Sequence, residues 1–159
     1  MRLKCRGMAY LRFLRDNWLF LSAGFLLTFT SSYGQTYFIS LFAGDIRAAF
    51  SLSDGEWGGI YTIGTTLSAI TMIWAGVLTD RFRVRALALG VMLALALACL
   101  GMAVATSAVA LVLVIYALRL TGQGMMSQLG AVAMVRWFEA SRGKALSLSS
   151  MGFAAGQAI

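Results

Sequence analysis

The chain predicts an all-α membrane protein, a polytopic helix bundle, and three observations carry that prediction. First, its 159 residues are 60% hydrophobic and 12% charged, with a mean hydropathy of +0.81, whereas a soluble domain carries about 25% charged residues. Second, the apolar residues gather into five runs, roughly 17–43, 57–78, 86–106, 108–134 and 145–159. Third, Lys and Arg concentrate in alternate connections between those runs, as in a chain that crosses a bilayer repeatedly.

Residues 1–16 form a basic tail holding Arg2, Lys4, Arg6, Arg12 and Arg15. Its start resembles that of a signal peptide, but the apolar run from Trp18 to Leu41 is too long for one and lacks a small-residue cleavage site, so it reads as a retained first span. A spanning helix needs about 20 apolar residues, which the first four runs supply. The fifth is expected to be a span cut short at Ile159, because the residues from 145 onward reach only about 22 Å at 1.5 Å per residue. The chain is therefore expected to be the front of a longer protein. The connection at Ala105–Ser107 is so short that spans three and four are expected to form an antiparallel hairpin.

Orientation follows from the bases. Those of the tail, then Arg81, Arg83 and Arg85, then Arg136, Arg142 and Lys144 fall on one side if every run spans. The opposite side holds Arg47 with Asp45, Asp54 and Glu56. By the positive-inside rule the N-terminus is cytoplasmic. Small residues at Gly152 and Gly156, and at Gly64, Ser68, Thr71 and Ala75, supply faces that let membrane helices approach closely, which predicts a packed bundle rather than a single anchor.

Four charges stand in the ten residues Gly76-Val-Leu-Thr-Asp80-Arg81-Phe-Arg83-Val-Arg85, between two apolar runs. Such a cluster has to lie outside the hydrocarbon core, so this is a short connection between the second and third spans. The pattern resembles the loop signature of the major facilitator superfamily, which joins its second and third helices on the cytoplasmic side; Arg83 stands where a Gly is usual and Ala86 where a final base is. The resemblance implies the N-terminal six-helix half of that fold, here its first four and a half of twelve helices. It also implies that Gly76, Asp80, Arg81 and Arg85 act as a conformational latch. Asp80 would then lie near a helix N-terminus or pair with a base.

The remaining base, Arg119, lies in the middle of the fourth run. A central Arg costs roughly 2.5–3.5 kcal/mol on the insertion scale. The ten Leu, Ile and Val residues of that run offset the cost, but a lipid-facing guanidinium is not expected. At 100° per residue, Ile115, Tyr116, Arg119, Gln123, Met126 and Gly130 share a face, with Gln128 roughly opposite. Arg119 followed by Gln123 and Gly124 is similar to the fourth-helix signature of the same superfamily, in which the Arg serves proton coupling or substrate binding. The first run carries a polar stripe, Thr28, Ser31, Ser32 and Gln35, with Thr30, Tyr33 and Tyr37 on another face. The resemblance implies that helices one and four line a central cavity, so Arg119, Gln123, Tyr33, Gln35 and Thr36 are the expected substrate or coupling contacts. Gly143, Gly152 and Gly156 have the spacing of the fifth-helix signature of the superfamily's drug antiporters, although Gln157 replaces its Pro.

No enzyme constellation is present: there is no His, no paired carboxylate within a span, no phosphate loop and no nucleophile elbow. Cys5 and Cys99 form no CxxC pair, so neither a metal nor a disulfide is expected. The net charge of +7 sits in topogenic clusters without a stacking platform, which argues against nucleic acid. The expected protein is a multi-pass carrier of a bacterial plasma (inner) membrane, without cofactors, partnered by the bilayer, a small-molecule substrate and the missing C-terminal part of its own chain. It would move a small organic anion such as a carboxylate by alternating access. The alternatives are a drug or multidrug efflux carrier of the same fold and a non-transporting helical scaffold.

Overall fold

The computed structural model describes residues 12–158, and every regular element among them is helical. Arg2, Lys4, Cys5, Arg6 and Ile159 lie outside the described residues. Helix α1 (Trp18–Thr30) passes through a 3-10 turn (Ser31–Gly34) into two short helices, α2 (Thr36–Leu41) and α3 (Ala43–Phe50). The long helices α4 (Asp54–Arg81) and α5 (Val84–Val104) follow. Helix α6 (Ala108–Leu118) runs through a π-helical segment (Arg119–Met126) into α7 (Ser127–Trp137), and α8 (Arg142–Gln157) comes last.

Three helical stretches are long and apolar enough to cross a membrane: Asp54–Arg81, Val84–Val104 and Ala108–Trp137. The first has 28 residues and spans about 42 Å, more than a hydrocarbon core of about 30 Å. Its charged ends, Asp54 and Glu56 at one and Asp80 and Arg81 at the other, therefore reach the polar layers. A capping box starts it: the Ser53 amide donates to Glu56 Oε2 at 2.9 Å, and the Glu56 amide donates back to Ser53 Oγ at 3.3 Å. At the α5–α6 corner Ser107 caps α6, its hydroxyl accepting from the Ala110 amide at 3.2 Å.

The first apolar run is not one helix. It breaks at Gln35, whose backbone is extended (φ −78°, ψ 152°). Hydroxyls account for the break. Thr28 Oγ1 donates to the Phe25 carbonyl at 3.0 Å, Thr30 Oγ1 to Leu26 at 2.7 Å and Ser31 Oγ to Thr28 at 2.6 Å. Such bonds divert carbonyls from the helical ladder, and Gly34 adds backbone freedom where the ladder is weakest.

The stretch Ala108–Trp137 is the axis of the bundle. Leu111, Ile115, Met126, Leu129 and Met134 are fully buried, whereas Ile73 and Trp74 of α4 and Leu93 and Leu97 of α5 are exposed along outer faces suited to lipid. The small-residue faces find partners. Gly64 of α4 lies against Ile115, and Tyr116 donates to Thr71 Oγ1 at 3.1 Å. Gly152 and Gly156 of α8 lie against Thr28 and Ser32, and Ser149 Oγ donates to the Gly24 carbonyl at 2.9 Å. Backbone meets backbone at Gly34 and Gly122, where a Cβ added to Gly122 would stand 2.6 Å from the Gly34 Cα.

Candidate functional site

Arg119 opens the π-helical segment, a rare conformation that recurs at functional sites. The segment holds Gly122 and Gly124, and its widened turn is seated against the broken first run. Two irregular backbones thus meet at one level. Non-helical backbone at membrane depth is tolerated where protein buries it or where it lines a cavity.

The guanidinium is half-buried among polar partners. Its Nη1 donates to Thr36 Oγ1 at 2.7 Å and also to Gln123 Oε1. Its Cζ sits 5.7 Å from the centre of the Tyr61 ring, a cation–π contact from α4. Its Nε is shielded and has no hydrogen-bond partner among the described residues, nor have the hydroxyls of Tyr61 and Thr65. One corner of the fork is committed to the protein. The Nε side is not.

Three of the expected contacts are therefore brought together: Arg119, Gln123 and Thr36. Gln35 supplies the extended backbone that starts α2 and so sets Thr36 at the site. Tyr33 is not brought to Arg119. Its ring lies edge-on to Phe38 at 5.3 Å and lines a separate apolar cavity of about 490 Å³ with Phe42, Cys99, Met102 and Leu118. The 3-10 turn that ends α1 accounts for the difference, because it displaces residues 31–34 from the phase of a continuous helix. Gln128 lies near Gly76 of α4, so the face opposite Arg119 is also packed against protein. Tyr61 was not among the expected contacts. The only signal for it was a polar aromatic in the first half of a span rich in small residues.

At the other end of α4, Asp80 Oδ1 pairs with Arg136 Nη2 of α7 at 3.0 Å, both groups partly solvated. Arg81 and Arg85 are exposed and form no ion pair among the described residues. Adjacent helical residues do not face each other, so Arg81 is poorly placed to serve Asp80, and Arg85 lies beyond the turn in α5. Asp80 thus has a base for a partner, but one from the connection after the fourth span. Gly76 makes no contact with that pair: its carbonyl accepts from Thr79 Oγ1 at 2.7 Å within α4, and its neighbour across the helix boundary is Gln128.

A set of apolar membrane-length helices with a polar cluster held between them defines an integral helical membrane protein. The family profile of the major facilitator superfamily matches residues 24–159, and the chain belongs to that superfamily of membrane transporters, a family made of carriers rather than enzymes. Neither a curated protein nor a solved structure matches the chain.

Proposed function

We propose that the protein is a secondary carrier for a small organic anion, a carboxylate, which Arg119 binds while two halves of the fold rock around a midplane site. The observation that carries this reading is the division of labour at Arg119. Thr36 and Gln123 hold Nη1, which fixes the plane of the guanidinium, while its Nε side has no acceptor among the described residues. A planar fork matches a carboxylate bidentately and is desolvated more readily than an ammonium. The base distribution supports a cytoplasmic N-terminus, and the protein would lie in a bacterial inner membrane. Asp80 with Arg136 would latch the cytoplasmic side.

Hydrogen bonds to charged groups contribute about 1.5–3 kcal/mol each, so losing two of them weakens binding by about a hundredfold or more. Arg119→Ala is therefore expected to abolish measurable carboxylate binding, and Arg119→Lys to recover little, since Lys lacks the two-point fork. Arg119→Gln keeps donors without charge and tests the structural alternative. Ligand affinity and melting temperature measured on the same three variants part the two roles. Variants that melt much earlier yet keep near-normal affinity in the folded fraction would remove Arg119 from the binding site and the organic anion with it.

A drug exporter of the same fold is the second reading. The apolar cavity beside Tyr33, Phe38 and Phe42, with Asp45 at its margin, has a volume suited to an amphipathic cation. Tight binding of such cations, unaffected at Arg119→Ala, would favour it.

A further inference from the structure

Three polar atoms on α4 and the fourth span are shielded and unpartnered among the described residues: Arg119 Nε, the Tyr61 hydroxyl and Thr65 Oγ1. Tyr61 and Thr65 are four residues apart on one helix, hence on one face. Tyr61 is also the residue whose ring lies against the Arg119 guanidinium. Buried polar groups are nearly always satisfied, and each exception calls for an explanation. A carboxylate alone explains only Nε. It leaves unpartnered the hydroxyl of Tyr61, whose ring centre is 5.7 Å from the guanidinium carbon.

From this juxtaposition we infer that Tyr61 is a specificity residue of the Arg119 site: its hydroxyl donates to a second oxygen of the ligand, so the site selects small carboxylates with an oxo or hydroxyl oxygen beside the carboxyl group over plain alkanoates. The inference rests on the anion-binding reading of Arg119 and names the class of anion. A ligand that takes the Nε side competes with the Tyr61 ring for the guanidinium. The cation–π contact it displaces is weaker than a bidentate charge-assisted pair. Thr65, one turn further along α4, gives that second oxygen another hydroxyl within the same helical face. Discrimination of this kind is characteristic of sites built around hydrogen-bonding groups, because an analogue without the acceptor leaves the donor unpaired on binding.

The test uses two probes of equal length, 2-oxobutanoate and butanoate, titrated into the protein in lipid nanodiscs. The unsubstituted protein is expected to bind the oxo acid about tenfold more tightly or better, the loss expected for an unpaired donor. Tyr61→Phe keeps the ring and removes the hydroxyl. It is expected to shrink that ratio to about two or less by weakening the oxo acid while leaving butanoate unchanged. Because the hydroxyl has no partner among the described residues, the melting temperature of Tyr61→Phe without ligand is expected to stay at the parent value, whereas loss of a structural hydroxyl would lower it. Thr65→Val is a second, independent variant expected to lower the ratio in the same direction. A ratio near ten retained in Tyr61→Phe overturns the inference while the anion reading stands. Failure of the parent to bind either acid, or undiminished binding by Arg119→Lys, overturns both.

Discussion

Replacing Gly122 by Ala tests the geometry on which the site depends. The added Cβ would stand 2.6 Å from the Gly34 Cα, 2.7 Å from the Gly34 amide nitrogen and 3.3 Å from the Ser31 carbonyl oxygen. All three atoms are backbone, so no rotamer change relieves the clash. Carbon atoms rest at about 3.5–4.0 Å, and the two chains therefore have to separate by about 1 Å. Overpacking of this kind costs about 1–3 kcal/mol. The same displacement carries Thr36 away from Arg119, and a hydrogen bond of 2.7 Å lengthened by that amount is broken. Two losses are expected together: a lower melting temperature and weaker ligand binding. Gly34→Ala meets the same crossing from the other side, with the Leu118 carbonyl oxygen nearest, then Gly122 Cα at 2.7 Å and Gln123 N at 2.9 Å. Because a single separation accommodates both methyl groups, the double variant is expected to cost less than the sum of the two, the sign of coupled sites.

Gly90→Ala is the control. Gly90 lies on the exposed face of α5 with nothing within 4 Å of an added Cβ. Alanine there adds no clash and gains up to about 1 kcal/mol of helix propensity. The assay is thermal unfolding in one detergent for all four variants, with carboxylate affinity measured on the same samples. A Gly122→Ala protein that melts and binds like Gly90→Ala would refute the close crossing. A protein that melts early yet binds normally would refute the link between the crossing and the position of Thr36.

Two further outcomes are expected. Asp80→Asn removes the charge that faces Arg136, and exposed ion pairs contribute only about 0.2–1 kcal/mol, so melting is expected to change little. If the pair latches the cytoplasmic side, Asp80→Asn and Arg136→Gln each slow substrate uptake, and combining them slows it no further; unchanged uptake leaves both charges with a topogenic role only. For orientation, a Cys placed at Ser107 is expected to react with a membrane-impermeant thiol reagent added from outside, and a Cys at Arg83 is not, with the reverse pattern overturning the assignment.

What was legible in the sequence was whatever depends on composition and local spacing. Five apolar runs define a helical membrane bundle whatever its packing, and Arg119 with Gln123 is visible because an i, i+4 pair meets on any helix. Thr36 came through the family resemblance alone. The partners that escaped notice depend on the phase of one helix against another. Tyr61 reaches Arg119 because Gly64 sets α4 close to Ile115, and Arg136 reaches Asp80 because α7 carries the fourth span to the level at which α4 ends. Periodicity failed at two places for the same reason. It assumes 3.6 residues per turn, and neither the turn at Ser31–Gly34 nor the π segment at Arg119–Met126 obeys it. Those are the places where Ser, Thr, Gly, Gln and Arg interrupt the apolar runs. Their hydroxyls and missing side chains loosen the backbone ladder, bring two chains into van der Waals contact at Gly34 and Gly122, and turn polar groups inward at that level. A helix with perfect apolar periodicity has no means of holding a guanidinium in the membrane, so the residues that spoil the pattern are also those that build the site.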